Sequence, residues 1–308
     1  MRGILGCSSL ERALAPNPME TIHTIEWMKQ IAHEARAQDR ILGLVPTMGA
    51  LHEGHFSLLR TAQRECAPVV VSLFVNPKQF GPTEDLNKYP RTLEADRAAL
   101  ESLGADYLFA PSPQEMYPPG FRTAVLVEGL SDRLEGRSRP GHFRGVTTVV
   151  LKLFEILQPR FAYFGRKDAQ QARLIRQMSA DLNLDTSVVI CPIVREADGL
   201  ALSSRNVYLK GEDRRAATAL SRSLAAARDE IARGERDASR LLATLRRVLA
   251  TEPRVALDYA EIVDNETLEP IAILRGTCYV LLAAKVAETR LIDNALIEPD
   301  GNSFRVKI

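Results

Sequence analysis

Along the first two thirds of this chain, apolar residues fall in short continuous runs, separated by stretches in which they recur every three or four positions. The runs at 41–45, 69–75, 107–110, 125–127, 161–164 and 188–194 suit strands buried on both faces. The patterns between them, at 55–65, 92–103, 146–157 and 169–181, suit amphipathic helices, as does the spacing of Ile22, Ile25, Trp27, Met28 and Ile31 from Thr21 onward. Strand and helix alternate, which predicts an α/β fold with a mainly parallel sheet covered on both faces and ligands bound beyond the carboxyl ends of its strands. After about residue 195 the texture changes: a long Ala- and Arg-rich helical region at 213–250 precedes strand-like segments at 258–263 and 279–286. We therefore expect a first domain over 19–195 and a smaller α+β domain over 196–308, packed closely around a cleft because no low-complexity linker divides them. Residues 1–18 form an extension in which Pro16 and Pro18 break any helix. We expect a flexible tail there, the alternatives being an ordered segment docked on the core and translation from Met19.

Composition narrows the function classes. Forty Lys and Arg against 39 Asp and Glu leave a formal net charge of +1, so no global field draws the chain to nucleic acid or to an anionic membrane. Any anion site must be built locally. Cys7, Cys66, Cys191 and Cys278 are dispersed with no CxxC pair, which indicates neither a zinc site nor a disulfide framework and fits a reduced, cytoplasmic setting. The apolar run at 3–6 is too short for an export signal, and no stretch approaches the roughly 20 apolar residues of a spanning helix.

The sharpest chemical signal is Pro46-Thr47-Met48-Gly49-Ala50-Leu51-His52-Glu53-Gly54-His55, set between the first apolar run and a helix. A helix N-terminus offers unpaired N–H groups and the positive end of a dipole, and Gly54 allows a nucleotide to approach the backbone closely. His52 and His55, three apart, share a helix face and can both donate to phosphate oxygens. Walker and GxGxxG motifs are absent, which disfavours P-loop and dinucleotide binding.

The HxGH turn resembles the signature of the nucleotidyltransferase superfamily that includes the class I aminoacyl-tRNA synthetases. Further words follow in order: Phe74-Val75-Asn76-Pro77-Lys78-Gln79-Phe80, Tyr89-Pro90-Arg91-Thr92, Arg139-Pro140-Gly141-His142-Phe143, Phe164-Gly165-Arg166-Lys167-Asp168 with Gln170 and Gln171, and Leu202-Ser203-Ser204-Arg205-Asn206. Together they resemble the pantothenate synthetase family from about Met19 to the C-terminal region. The resemblance implies a Rossmann-like first domain, a homodimer, and ATP-dependent joining of pantoate to β-alanine through an acyl adenylate, with Mg2+ accompanying ATP. It also implies an ATP site at Pro46, Thr47, Met48, Gly49, His52, Gly54, His55, Gly165, Lys167, Asp168, Val194, Leu202, Ser203, Ser204 and Arg205. Catalytic work is expected of His55, His52, Lys167, Ser203, Ser204 and Arg205, the last three matching the KMSKS loop of the related synthetases. Gln79 and Gln171 are expected to hold pantoate, with Met48 and Tyr89 beside it and Arg139 facing the β-alanine carboxylate.

Asp168 suits either a ligand contact or a plain helix cap. Ala169 stands where an aromatic residue is frequent, leaving its packing near the nucleotide open, and Leu202 stands where Met is usual. Two rival readings remain: an adenylyltransferase acting on a phosphate, which the paired glutamines oppose, and an RNA-binding relative with basic helices near Arg214 and Arg246, which the near-zero net charge opposes.

Overall fold

In the computed structural model, which describes residues 19–82 and 84–308, a six-stranded sheet forms from β1 (Glu20–Ile22), β2 (Gly43–Thr47), β3 (Val69–Leu73), β4 (Tyr107–Phe109), β5 (Phe161–Gly165) and β6 (Ser187–Cys191). Every neighbouring pair is parallel, in the order β1-β4-β3-β2-β5-β6. The expected N-terminal extension, with Pro16, Pro18 and Cys7, lies outside the described residues. Helices α1 (Ile25–Ala37), α2 (Glu53–Glu65), α3 (Leu93–Ser102), α4 (Pro113–Met116), α5 (Glu135–Ser138), α6 (His142–Leu157) and α7 (Ala169–Asp181) accompany the sheet. The chain runs outward from β2 through β3 to β4, then returns to place β5 on the other side of β2. This reversal opens a crevice beyond the carboxyl ends of β2 and β5, where open α/β sheets bind ligands.

The second unit stacks α8 (Gly211–Ala217), α9 (Ala219–Ala232) and α10 (Ala238–Leu249) on an antiparallel sheet of β7 (Val255–Asp264), β8 (Cys278–Val286), β9 (Thr289–Asp300) and β10 (Ser303–Lys307). Leu241, Leu245 and Leu249, one turn apart on α10, are fully buried against it. The opposite face of the sheet carries Tyr259, Val263, Tyr279 and Leu281, which cluster with Leu134 and Ala169 of the first unit. Ala169 is thus part of the core joining the two units, where a larger ring would compete with these aromatic side chains.

Several expected elements differ. The helix predicted from Thr21 starts at Ile25, because Thr24 caps it by accepting from the Trp27 N–H, and Ile22 instead pairs with Phe109 in the sheet. Residues 125–127 form no strand: the Val125 N–H donates to the Thr148 hydroxyl and its carbonyl accepts from Thr147, so two helix side chains satisfy what a neighbouring strand would. The region 213–250 is three helices, interrupted at Thr218 and by Gly234 at φ +103° before the Asp237 cap of α10. β9 and β10 lie beyond the two strand-like segments expected at 258–263 and 279–286. Among the described residues no helix is long and apolar enough to cross a membrane.

Candidate active site

The site begins where β2 ends. Thr47 donates to the Ser72 carbonyl at 2.8 Å and accepts from the Gly49 N–H at 3.3 Å. Gly49 and Ala50 then adopt left-handed conformations, with φ of 85° and 50°. Buried Asp96 holds that turn, its two carboxylate oxygens accepting from the Ala50 and Leu51 N–H groups at 2.9 and 2.8 Å. Gly49 is therefore a hinge beneath the cleft rather than part of its wall, the one expected nucleotide residue that does not line it.

Helix α2 opens directly after this turn, and its capping groups are imidazoles. His52 Nδ1 accepts from the Gly54 N–H at 3.1 Å, and His55 Nδ1 accepts from the His52 N–H at 3.4 Å. With both Nδ1 atoms acting as acceptors, the proton of each neutral ring resides on Nε2. A Cβ at Gly54 would lie 2.9 Å from the His52 ring, so this glycine makes room for the histidine as well as for any ligand. Burial lowers the His52 pKa to about 4, aided by Lys167, and lowers that of His55 to about 3, aided by His52 and Lys167. Both rings are neutral Nε2–H donors at physiological pH.

These shifts set the sign of a pH effect on stability. Above pH 6.5 neither folded nor unfolded histidines bind the extra proton; below it the unfolded chain takes up protons that His52, His55 and His142 refuse down to about 4, 3 and 4. Stability should therefore decline as pH falls from 6.5 toward 4, and a urea midpoint that stays constant across that window contradicts the neutral assignment.

The opposite wall comes from the end of β5. Gly165 leaves open space where a Cβ would project, a cradle for close approach of a ligand. Asn294 of β9 donates to the carbonyls of Arg166 and Lys167 at 2.8 and 2.9 Å, fixing the loop that presents Lys167 and Asp168. Asp168 makes no capping bond to α7, so its carboxylate is available to the cleft.

Gln79 lies on the floor, in the short turn after β3. Its Oε1 accepts from Asn76 Nδ2 at 3.0 Å, and its Nε2 meets only the thioether of Met48, a weak acceptor that a ligand oxygen displaces readily. Asn76 itself is held by the Gly145 carbonyl at 3.1 Å and the Tyr117 hydroxyl at 2.9 Å. His142 Nδ1 donates to the Gln79 carbonyl at 2.8 Å, since its Nε2 accepts from Arg139 at 3.1 Å. Burial and Arg139 lower the His142 pKa to about 4. Val146, Val149, Val150 and Phe74 add an apolar wall.

One cavity of about 230 Å³ brings together Pro46, Thr47, Met48, His52, Gly54, His55, Gln79, Tyr89, Arg139, Gly165, Lys167, Asp168, Gln171, Val194, Leu202, Ser203, Ser204 and Arg205. It adjoins an inter-unit space of about 840 Å³ that shares Arg139, Lys167, Gln171 and Arg205 with it. Two expected anion-binding residues are already engaged. Arg139 Nε and Nη2 donate to Glu84 at 2.8 and 2.7 Å, and Arg205 grips Asp85 with both bonds at 2.9 Å. Burial alone would push the Glu84 and Asp85 carboxyls up, but the facing guanidiniums hold them below the usual range. Tyr89 bonds Ser204 at 3.1 Å, so it contacts the Ser-Ser-Arg segment more directly than it does Gln79. Gln170 serves structure, accepting from the Glu135 N–H and donating to the Leu130 and Arg133 carbonyls.

Sequence reasoning had assigned no site role to Asp96 or His142. His142 sits inside the Arg-Pro-Gly-His-Phe word, which was its signal; Asp96 is 45 residues from the backbone N–H it binds at Leu51, and nothing local marks it.

The sequence model for Pantoate-beta-alanine ligase matches residues 20–296. A pantothenate synthetase of Heliobacterium modesticaldum is 54% identical over 280 residues, covering 91% of this chain and all of that protein. A pantoate-beta-alanine structure (pantothenate synthetase) from Thermus thermophilus superposes with a TM-score of 0.86 at 47% identity, covering 90% of this chain and 98% of that one. A pantoate-beta-alanine ligase from Francisella tularensis, complexed with beta-gamma ATP and beta-alanine, gives 0.73 at 36% identity over 90% and 97% of the two chains.

Proposed function

That the chain belongs to the pantoate-beta-alanine ligase family is the premise from which we infer its reaction, the ATP-dependent condensation of pantoate with β-alanine. The observation that carries the residue assignments is the single cleft joining His52, His55 and Lys167 to Gln79 and Gln171 at the β2/β5 reversal. In the first step a pantoate carboxylate oxygen attacks the α-phosphorus of ATP, and the bond to the departing pyrophosphate breaks. In the second the β-alanine amine attacks the acyl carbon of pantoyl adenylate, loses a proton and expels AMP. No covalent bond to the protein is needed, so catalysis rests on positioning and on charge stabilisation.

The Nε2–H groups of the neutral His52 and His55 rings donate to phosphate oxygens without either ring having to take up a second proton, and Lys167 supplies full positive charge. Ser203, Ser204 and Arg205 approach the β- and γ-phosphates, and the open face of Gly165 admits the nucleotide. Gln79 and Gln171 bind pantoate oxygens, while the wall of Val146, Val149 and Phe74 suits its dimethyl carbon. The described residues contain no cluster of three His, Cys, Asp or Glu able to cage a metal. Mg2+ accompanying ATP would take the Asp168 carboxylate, which lines the cleft without a capping bond, as its protein ligand, since Mg2+ usually takes one or two carboxylates beside substrate phosphates. Held there, it would offset the charge of the leaving pyrophosphate. A homodimer and a cytoplasmic setting belong to the same proposal.

AMP formation from ATP and pantoate, with and without β-alanine, tests the reaction: pantoate-dependent pyrophosphate exchange alone, and net AMP release only with the amine, is the expected pattern. Exchange supported by a nucleotide phosphate instead of pantoate would replace this reading with an adenylyltransferase. For Gln79→Ala the pantoate KM should rise about 10- to 100-fold, the cost of removing hydrogen bonds to an anionic ligand, with the ATP KM nearly unmoved. Equal losses for both substrates would remove the pantoate-specific contact.

A further inference from the structure

The cleft must accept a triphosphate and two carboxylates, yet of the three cations that line it only Lys167 lacks a carboxylate partner among the described residues. Arg139 and Arg205 are bound by Glu84 and Asp85, which are adjacent in sequence and each use two oxygens against two guanidinium nitrogens. A bidentate carboxylate occupies the same Nε/Nη2 edge that a substrate carboxylate or phosphate would take. We propose that Glu84 and Asp85 set the enzyme's substrate affinities by acting as internal competitors, Asp85 for the ATP phosphates at Arg205 and Glu84 for the β-alanine carboxylate at Arg139. This assignment rests on the reaction inferred above.

Three features favour competition over simple support. Each pair is neutral as it stands, so the segment at 203–205 presents no net positive charge to an incoming polyanion. All four groups retain water access, with side-chain exposures of 16% and 21% for Arg139 and Glu84 and of 27% and 25% for Arg205 and Asp85, so a displaced carboxylate returns to solvent at low cost. Other contacts hold the segments without these carboxylates: the Tyr208 hydroxyl donates to the Lys88 carbonyl at 2.8 Å, and Tyr89 meets Ser204 at 3.1 Å. Arg139 is held besides by Nη1 donating to His142 Nε2 at 3.1 Å, so each arginine keeps a support on its own segment when its acidic partner leaves.

Exchange of a carboxylate for a substrate anion also accounts for two neighbouring acids facing two different arginines. Asp85 and Glu84 carry one charge each at nearly the same place, so a general field effect predicts equal consequences of neutralising either. Competition predicts that each consequence follows its own arginine.

The test uses the isosteric variants Asp85→Asn and Glu84→Gln, with Asp85→Ser as a second variant should the first fold poorly. D85N should lower both the ATP KM in AMP formation and the ATP Kd by titration calorimetry about 3- to 10-fold, the scale of one partly exposed ion pair, and leave the β-alanine KM within about 2-fold. E84Q should lower the β-alanine KM by a similar factor and leave ATP binding unchanged. In an Arg205→Ala background, D85N should have no effect on ATP binding. A raised or unchanged ATP Kd in both D85N and D85S overturns the proposal, as does an equal fall in D85N and E84Q. Wild-type protein that formed no AMP would overturn the inferred reaction instead, and the ATP titrations would still decide the role of Asp85.

Discussion

Replacing His55 by alanine should reduce pantoate-dependent exchange of pyrophosphate into ATP by about 10²- to 10³-fold, the usual cost of removing one preorganised donor from developing charge. The ring is held rather than free: its Nδ1 accepts from the His52 N–H, His52 caps the same helix, and the two rings lie 4.1 Å apart between centroids. Because burial keeps His55 neutral, with a pKa of about 3, its contribution should not titrate near neutrality, and the residual activity of the variant should follow the wild-type pH profile between about pH 6 and about pH 8. Loss of the capping contact costs only about 1 kcal/mol of stability, so a large fall in rate with a small fall in melting temperature separates chemistry from folding. Exchange near the wild-type rate in His55→Ala removes the residue from adenylation.

Gly145→Ala should be nearly as damaging, from a position that does not line the cleft. A Cβ there would sit 2.2 Å from the Lys78 carbonyl oxygen and 2.6 Å from the Gln79 Cα, both backbone atoms. Either α6 or the turn bearing Gln79 must retreat by about 1 Å, which overpacks a buried contact at a cost of about 1–3 kcal/mol and displaces the pantoate ligand. A misplacement of that size is enough for about a 10²-fold loss in kcat/KM for pantoate. ATP binding measured by titration should be nearly preserved, because the walls at His52 and Lys167 do not rest on Gly145. A variant with unchanged pantoate kinetics would mean that the turn accommodates the methyl group without moving Gln79.

The parallel sheet was legible because its strands are continuous apolar runs, Val69, Val70 and Val71 above all, and its helices keep a clean period; α7 begins at Ala169 and ends at Asp181 as the pattern predicts. Pairings that depend on single side chains were not legible. Thr147 and Thr148 satisfy the backbone of Val125 and turn a strand-like triplet into a loop, and Thr24 moves the start of α1 from the expected Thr21 to Ile25. β9 escaped because Asp293 and Asn294, buried on its two opposite faces, are polar and break the apolar pattern that marks a strand. At the site, the words around His52, Gln79, Lys167 and Ser203 identified which side chains meet. The charge state of the cleft was invisible, because Arg205 and Asp85 are 120 residues apart and only the folded chain brings them together.

Asn294 belongs to the antiparallel sheet, yet what it holds is the backbone beside Lys167 in the parallel one. The two units are consequently not interchangeable parts. A chimera that took its C-terminal half from a relative without an amide at that place would leave the lysine's loop unmoored, so recombination between halves is constrained by one side chain that reaches across from the other sheet.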